Sequence, residues 1–487
     1  MRSYKFNWLK PVTLASIFLI IASGLFGQLQ DTKQLGKDIE KYMTASIKHD
    51  YFSGSILIAK NGKTIFSNGY GMANFEHQAP NTVNTVFNIG SIAKQFTSMA
   101  IMQLVEERKL TVNDSICMYL NNCPPAWKSI TIRNLLTHTS GIMNYSRLAD
   151  WDEKHSIQPY TPEELIDLIR HLPLQFTPGE KFKYSNTNFD LLGLIIEKIS
   201  GITYHDFLEK NIFKPLGMKN TGPVNPQKLI TNRASGYYTK LNSFVNAPYE
   251  NSALSFGSGS MLSTLSDLLL WDQALYSTKL VSQKTLDEMS APFKADYGYG
   301  TEIYKMFDKN TIGHAGSQNG FSTMLLRFPE ENITVIVLSN SDQASGGRVA
   351  KNLFGMVLNK PYKIPETSAF EMLSIAYEKG GVEPTLQLCK ELKKRNVEKF
   401  DEEDVLGHFG YDLLDLKKIK DAIKVFTYVI ETKPKSSYAH DYLGEAYLHD
   451  KDYKMAMMYF RKALELDASN EYALKGIKRV EEALKVK

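Results

Sequence analysis

The chain has 487 residues, which is more than one ordinary domain needs and suits two or three. Hydrophobic residues make up 43% of the chain and aromatic residues 11%, so a large core can form and wholesale disorder is excluded. The formal net charge of +4 is small for this length and the basic residues are dispersed, so nucleic-acid binding gains no support.

The first 27 residues have the layout of a secretory signal peptide. Three basic residues precede an apolar stretch over 12–27, and the small residues Ala22 and Gly24 offer an A-x-A-like cleavage pattern. The stretch is shorter than the about 20 residues that a membrane-spanning helix needs, and an uncleaved anchor is the alternative. We therefore predict that 1–27 directs export, to a bacterial periplasm or the medium, or holds the protein at the inner membrane.

Residues 35–358 combine strand and helix patterns. Residues 53–71 read as two strands joined by a turn at Asn61-Gly62, and residues 320–341 read as a second antiparallel pair. Apolar periodicity between the two pairs predicts helices, for example over 162–172 and 188–200. Strands at both ends with helices between them predict an α+β domain, in which one antiparallel β-sheet is flanked by helices and brings the ends together.

The three cysteines provide no disulfide framework. Cys117 and Cys123 are close enough in sequence to pair in an oxidising compartment, with Cys389 in a different region, and three unpaired thiols are an equally good interpretation. The ten histidines are scattered, and no metal-binding motif occurs. The sequence therefore indicates neither a metal nor another cofactor.

Residues 359–369 contain two prolines and read as a linker, after which the pattern becomes almost entirely helical. Four positions recur at an offset of 34 residues: Phe409 as Leu443, Gly410 as Gly444, Ala422 as Ala456 and Phe426 as Phe460. This period is typical of tetratricopeptide repeats, which bury their apolar faces only against neighbouring repeats. We predict such a domain over 370–487, with clear repeats over about 403–436 and 437–470, a degenerate helix pair over 370–395 and a capping helix over 471–485. Its protein partner is unknown.

Ser91 begins the chain's S-x-x-K sequence, and Lys94 ends it, at the head of an apolar helix pattern. Side chains three positions apart on a helix share one face. Burial and the positive end of the helix dipole both lower the pKa of a lysine there, and a partly neutral amine beside a hydroxyl is a base beside a nucleophile. A serine cap with a snorkelling lysine explains the tetrapeptide alone equally well.

Tyr184-Ser185-Asn186 forms a Y-x-N triplet just before a second apolar helix pattern. A tyrosine phenol can shuttle protons if cationic neighbours lower its pKa. The Asn186 amide can hold a substrate carbonyl and orient the lysine. The triplet alone is a weak signal, because two other Y-x-N sequences occur in the chain.

The stretch from His314 to Ser317 leads into a predicted strand. His314 would supply a hydrogen-bond donor near the substrate, and Gly316 permits close backbone approach. The N–H of Ser317 could join that of Ser91 as an oxyanion hole. By itself, a His-x-Gly sequence is more often an ordinary turn.

Together the three motifs resemble those of the serine β-lactamase and penicillin-binding-protein superfamily, specifically its class C and esterase branch. They occur in the family's order, and the segments 135–142, 256–271 and 335–341 also match. The resemblance covers roughly residues 35–360. It implies an antiparallel β-sheet flanked by helices, an all-helical insertion, and a site between the two.

The resemblance also implies an acyl-enzyme reaction. Ser91 would attack a carbonyl, Lys94 and Tyr184 would manage its proton, and water would hydrolyse the acyl-enzyme; the sequence does not decide which of the two takes the first proton. The residues implied in substrate binding are Asn186, His314, Gly316 and Ser317. His138 lies in a loop that looks like scaffold and is interpreted as structural.

One departure from the family pattern bears on the substrate. His314 stands where β-lactamases and DD-peptidases of this family carry the lysine of K-T-G, whose permanent charge suits a substrate carboxylate. A histidine is mostly neutral at pH 7. We therefore expect an esterase or a hydrolase of peptides or amides, including those with D-amino acids, rather than an efficient β-lactamase or DD-peptidase. The other alternative is a catalytically inactive ligand-binding scaffold that works through its repeats.

Overall fold

The computed structural model describes residues 32–148, 151–225, 227–395 and 401–485. The predicted export segment over 1–27 lies outside these ranges. Among the residues described, no helix is long and apolar enough to cross a membrane.

The first domain contains all the strands that the structure describes. The strands are β1 (Gly54–Lys60), β2 (Lys63–Tyr70), β3 (Met72–Asn74), β4 (Ala79–Pro80), β5 (Phe87–Asn88), β6 (Gly222–Pro223), β7 (Tyr237–Lys240), β8 (Ser243–Asn246), β9 (Met261–Ser263), β10 (Glu302–Met306), β11 (Lys309–Gln318), β12 (Phe321–Phe328) and β13 (Ile333–Ser339). Its helices are α1 (Thr32–His49), α2 (Lys94–Glu106), α3 (Ile132–Leu136), α4 (Pro162–Arg170), α5 (Asn186–Ser200), α6 (Tyr204–Leu208), α7 (Lys214–Leu216), α8 (Leu265–Ala274), α9 (Gln283–Ser290) and α10 (Gly346–Val357).

Six strands form one antiparallel sheet in the order β10-β11-β12-β13-β1-β2. β1 pairs with β13, so the two ends of the domain meet as predicted. The predicted turn between β1 and β2 is also present, with φ values of 48° at Asn61 and 70° at Gly62. Positive φ at both central residues gives the turn the twist that two adjoining strands require. The predicted α+β class is confirmed.

The central strands are buried on both faces because helices pack against each face of the sheet. In β1, Ile56 and Ile58 belong to a core shared with α1 and α10. The alternating residues Leu57 and Ala59 belong to the larger core shared with α2 and the helices of the insertion. Side chains of successive strand residues point to opposite faces, so this apolar run serves two cores at once.

The insertion between β5 and β9 is mostly helical: it contains α2 to α7 and the short strands β6, β7 and β8. Its loops include a disulfide bond between Cys117 and Cys123, whose pairing the sequence left open. Cys389, far along the chain, is a buried free thiol.

The repeat domain, over 369–485, is entirely helical where the structure describes it. Its helices are α11 (Ala369–Gly380), α12 (Val382–Lys394), α13 (Glu402–Asp415), α14 (Ile419–Thr432), α15 (Ser437–His449), α16 (Tyr453–Leu466) and α17 (Glu471–Lys485). The recurring positions have one packing role: a Cβ on Gly410 would lie 2.2 Å from Phe426, and a Cβ on Gly444 would lie 2.7 Å from Phe460. In each pair an aromatic ring occupies the space that only glycine leaves open.

The two domains touch at the hairpin β7–β8. Leu241, at its turn, is buried in the apolar core of the repeat domain, and its N–H donates to Oδ2 of Asp412 at 2.7 Å. The ammonium of Lys240 lies 3.2 Å from Asp412 and 2.6 Å from Asp415. The hairpin is therefore part of the first domain in sequence, but its turn residue Leu241 packs in the core of the repeat domain.

Candidate active site

Ser91 lies in a short 3-10 turn, Gly90–Ala93, and Lys94 is the first residue of α2. The prediction that the two residues share one α-helix is therefore wrong. Their spacing nevertheless brings the two side chains together. Within the part of the chain that the structure describes, no side chain caps the start of the turn or of the helix, so Ser91 is not the helix cap of the alternative interpretation. Gly90 has φ of 51°, and a Cβ there would lie 2.8 Å from the backbone nitrogen of Ser317.

The Lys94 side chain is fully buried, with 0% of its surface exposed. Its Nζ lies 2.9 Å from Oγ of Ser91, and it donates to Oδ1 of Asn186 at 2.9 Å and to the carbonyl oxygen of Ser258 at 2.6 Å. Burial lowers the pKa of Lys94 to about 7, against the opposing effect of Asp190 and Glu302. A large fraction of this amine is therefore neutral near pH 7.

Tyr184 completes the contacts of Ser91, because its OH donates to the serine Oγ at 2.9 Å. Its ring lies under the Lys94 amine, 4.9 Å from Nζ to the ring centroid. Burial nevertheless raises the pKa of Tyr184 above its ordinary value. The expected lowering by cationic neighbours does not occur, since desolvation is the larger effect, and the phenol stays protonated near pH 7.

His138 contacts the Y-x-N segment, residues 184–186, and holds it by hydrogen bonding and ring packing. Its Nδ1 accepts a hydrogen bond from the Ser185 N–H at 3.2 Å and lies 3.2 Å from the Asn188 amide. Its ring lies 4.3 Å from the Tyr184 ring, centroid to centroid. Burial lowers the pKa of His138 well below its ordinary value, so a neutral imidazole holds this turn in place.

His314 lies beneath the site and has both ring nitrogens engaged. Its Nδ1 is 2.6 Å from the carbonyl oxygen of Ala315, and its Nε2 is 3.0 Å from the OH of Tyr297. The side chain is buried, and burial lowers its pKa. A donor from His314 to a substrate would thus require one of these bonds to break.

Gly316 and Ser317 have different roles on β11. A Cβ on Gly316 would lie 2.0 Å from the carbonyl oxygen of Ile89, so only glycine lets the strand approach the segment before Ser91. Ser317 is exposed, and with Asn186 it lines a cleft of about 280 Å³. Two predicted site residues that are 131 positions apart in sequence, Asn186 and Ser317, thereby line one cleft.

The charged residues lining this cleft are both acidic, Glu250 and Asp342. None of the described lining residues is Lys, Arg or His. The amide Nε2 of Gln318 donates to Glu250 and fixes its carboxylate at the cleft wall.

Asp190 and Tyr297 are buried at the site, and the motif analysis missed both. Asp190 lies four residues after Asn186 on α5, on the same face, and a charged residue in such an apolar helix is a usable signal. Tyr297 lies in an irregular segment before β10 and reaches the site only through tertiary packing.

A buried lysine and a tyrosine on one serine, between a helical region and an antiparallel sheet, are the features of a serine hydrolase of the β-lactamase and transpeptidase fold. The family model described as Beta-lactamase matches residues 33–357, and a tetratricopeptide-repeat model matches residues 443–470. The chain therefore belongs to the β-lactamase family of serine hydrolases, with a C-terminal tetratricopeptide repeat. We call residues 33–357 the hydrolase domain.

Several known proteins are similar to this chain. Penicillin-binding protein 4* of Bacillus subtilis is 32% identical over 354 residues, which is 67% of this chain and 77% of the relative. The octameric penicillin-binding protein homologue of Pyrococcus abyssi is 30% identical, with a TM-score of 0.61 over 71% of this chain and 81% of that chain. The D-amino acid amidase of Ochrobactrum anthropi, at 22% identity and a TM-score of 0.58 over 66% of this chain and 99% of that one, shares the fold.

Proposed function

We propose that the protein is an exported serine hydrolase that forms an acyl-enzyme on Ser91. The observation that carries the proposal is the pair of contacts on its Oγ, from Lys94 Nζ and from Tyr184 OH, both at 2.9 Å. A nucleophile needs a base within hydrogen-bond distance, and the base is oriented here by a third group, Asn186.

We give the first proton transfer to Lys94, and this choice is supported by the lowered pKa of Lys94 and the raised pKa of Tyr184. As Ser91 Oγ bonds to the substrate carbonyl carbon, its proton passes to the neutral Nζ of Lys94, and the carbonyl oxygen takes up the negative charge. The Tyr184 phenol stays protonated and donates to the reacting oxygen. When the intermediate collapses, the leaving alcohol or amine receives the proton, and a water molecule later releases the acyl group by the reverse sequence.

The charge of the cleft favours an uncharged or amine-bearing ester or amide, including a peptide with D-amino acids. His314 is buried and neutral in the place of the family's lysine, so it offers no cation for a carboxylate. Glu250 and Asp342 at the cleft wall would repel a carboxylate as well. Both observations weigh against a β-lactam or a carboxyl-terminal peptide as the main substrate.

The proposal extends to the site of action and to the repeats. Export is proposed from the sequence of residues 1–27 alone. The exported protein would be periplasmic or secreted, or it would be anchored in the inner membrane by this segment. The repeat domain would serve binding of a protein partner, which is the common use of such repeats.

Covalent labelling tests the proposal. The chain is incubated with a fluorophosphonate and, separately, with a penicillin, and peptide mass spectrometry locates any adduct; Ser91→Ala is the control. We expect the fluorophosphonate on Ser91 and no penicillin adduct. Labelling by both probes would favour the β-lactam alternative, and no adduct from either on folded protein would favour an inactive ligand-binding protein.

Substrate charge is tested by His314→Lys. The ratio of kcat/KM for a carboxylate-bearing ester to that for a neutral ester of the same acyl group is compared in the variant and the wild type. A lysine there should raise the ratio. An unchanged ratio would show that position 314 does not act on the substrate.

A further inference from the structure

Asp190 is a buried carboxyl group to which the proposed reaction gives no step. It lies on α5 one turn after Asn186, with 0% of its surface exposed. Its Oδ1 accepts the backbone N–H of Gly257 at 2.9 Å. Burial of a charged carboxyl group costs free energy unless hydrogen bonds and an opposite charge compensate for the lost water.

The bond to Gly257 leads directly to the catalytic amine. The carbonyl of Gly257 accepts the hydroxyl of Thr97 at 2.6 Å, and the carbonyl of the next residue, Ser258, accepts Lys94 Nζ at 2.6 Å. The segment 257–258 is therefore held from two sides, by Asp190 and by Thr97, with its second carbonyl on the amine.

The charges that face Lys94 come from several elements. Asp190 on α5 and Glu302 on β10 both raise the pKa of Lys94, in opposition to burial. His138 and His314 face it too, but burial lowers the pKa of both, so they stay neutral. Tyr184, beside the amine, stays protonated. Burial raises the pKa of Asp190 itself to about 6, so its carboxyl group is mostly charged only above that pH, where it favours the protonated form of Lys94.

We infer that Asp190 is a positioning residue for Lys94: it anchors the 257–258 segment that holds the amine, and it supplies a negative charge to the same buried site. This inference rests on the proposed function of Lys94 as the base. Its two parts, anchor and charge, can be separated by substitution.

Asp190→Asn keeps an oxygen for the Gly257 N–H and removes the charge. We expect the midpoint of the rise of kcat/KM with pH, for a neutral ester, to fall by about one pH unit, because a nearby opposite charge shifts a pKa by about that much or more. Thr97→Val loosens the other anchor without changing a charge and should lower kcat without moving the midpoint. The matched control is Glu197→Gln on the same helix, whose carboxylate accepts the Tyr204 N–H at 2.7 Å.

The outcomes distinguish a failure of the proposed function from a failure of the inference on Asp190. If the wild type is not labelled on Ser91, the proposed function fails. If it is labelled, and folded Asp190→Asn has the wild-type midpoint, the inference on Asp190 is overturned. Should that variant not fold, Asp190→Ser, which keeps an oxygen acceptor in a smaller volume, takes its place.

A separate set of contacts connects the repeat domain to the cleft. The hairpin β7–β8 has its turn in the repeat domain's core, and its strand β7 runs to the cleft wall. Tyr238 on β7 lines the cleft, and its OH donates to Oδ1 of Asn319 at 3.1 Å. The N–H of Thr239 donates to Oδ1 of Asp342 at 3.0 Å, and both acceptors line the same cleft.

We propose that the repeat domain controls the shape of the substrate cleft through this hairpin. Strand β7 has only four residues. At one end Lys240 forms an ion pair with Asp415 of the repeat domain, and near the other end Tyr238 lines the cleft. Any shift of the repeat domain, such as one caused by a protein bound to the repeats, therefore moves cleft residues. Ser91 is not among the described residues that line this cleft, so such a shift would affect the reaction at Ser91 only indirectly.

Charge reversal at the interface tests this coupling in the full chain. Lys240→Glu should raise KM for a neutral ester about fivefold or more, because the weakest coupling usually found between two sites changes affinity by about that factor. The rate of fluorophosphonate labelling of Ser91 should stay within twofold of the wild-type rate. Adding Asp415→Lys should restore KM. The control is Lys420→Glu, which breaks an exposed pair with Asp450, at 2.7 Å, inside the repeat domain.

The coupling is refuted if small-angle scattering shows that Lys240→Glu releases the repeat domain while KM stays at the wild-type value. It is also refuted if Asp415→Lys does not restore KM in a folded double variant. Loss of Ser91 labelling with an unchanged KM would place the effect on catalysis rather than on the cleft.

Discussion

Replacement of Lys94 by methionine measures what the buried amine costs the folded protein. Burial lowers the pKa of Lys94 from its ordinary 10.5 to about 7. At 1.36 kcal/mol per pH unit, the protonated amine destabilises the fold by about 5 kcal/mol below pH 7. Methionine fills a similar volume without a charge.

Part of this gain is lost, because the amine also makes hydrogen bonds. Methionine leaves the carbonyl oxygen of Ser258 and Oδ1 of Asn186 without the Lys94 donor. The carbonyl of Ser258, which is buried, then costs about 1–3 kcal/mol, whereas Asn186 lines the cleft and can accept a hydrogen bond from water. At pH 6 we therefore expect Lys94→Met to be more stable than the wild type by about 2–4 kcal/mol, although it is inactive.

The pH dependence distinguishes this cause from better packing. Between pH 7 and 10 the unfolded chain keeps the Lys94 proton and the folded protein does not, so the wild type's free energy of unfolding rises with pH in that window. The variant lacks this titration. Its advantage should therefore shrink by about 3 kcal/mol between pH 7 and pH 9.

Urea unfolding followed by tryptophan fluorescence is a suitable assay. Trp127, Trp151 and Trp271 lie in the hydrolase domain, and no tryptophan follows position 271, so the signal excludes the repeat domain. Lys63→Met, at an exposed lysine of β2, is the control. A variant that is less stable than wild type at pH 6, or an advantage equal at pH 6 and pH 9, would refute the reasoning.

Three further predictions concern stability and geometry. Asp272→Ala should lower the free energy of unfolding by about 3–5 kcal/mol, because it leaves the buried Arg327 guanidinium without its partner at 2.6 Å; urea unfolding checks this, and a loss below about 1 kcal/mol would contradict it. Gly90→Ala should slow fluorophosphonate labelling of Ser91 about tenfold, because the positive φ and the approach to Ser317 strain any side chain there; normal labelling kinetics would argue against that strain. Gly444→Ala should destabilise the repeat domain by about 1–3 kcal/mol through its clash with Phe460, measured by far-ultraviolet circular dichroism, and an unchanged helix transition would exclude the clash.

The sequence by itself determined the features that depend on near neighbours. The turn at Asn61-Gly62 follows from two residues that tolerate positive φ. The repeat domain follows from a 34-residue period that places a glycine beneath an aromatic ring each time, as Gly444 lies beneath Phe460. The spacing of Ser91 and Lys94 joins the hydroxyl and the amine across a single turn, whatever surrounds them.

Only the tertiary structure decided what surrounds those residues. Burial keeps Tyr184 protonated, although a cationic neighbour was expected to lower its pKa. Both ring nitrogens of His314 have hydrogen-bond partners from the surrounding protein. Asp190 reaches Lys94 through a segment nearly 70 residues further along, at Gly257. Desolvation and long-range hydrogen bonds depend on how separate elements pack, and no local pattern of residues contains that information.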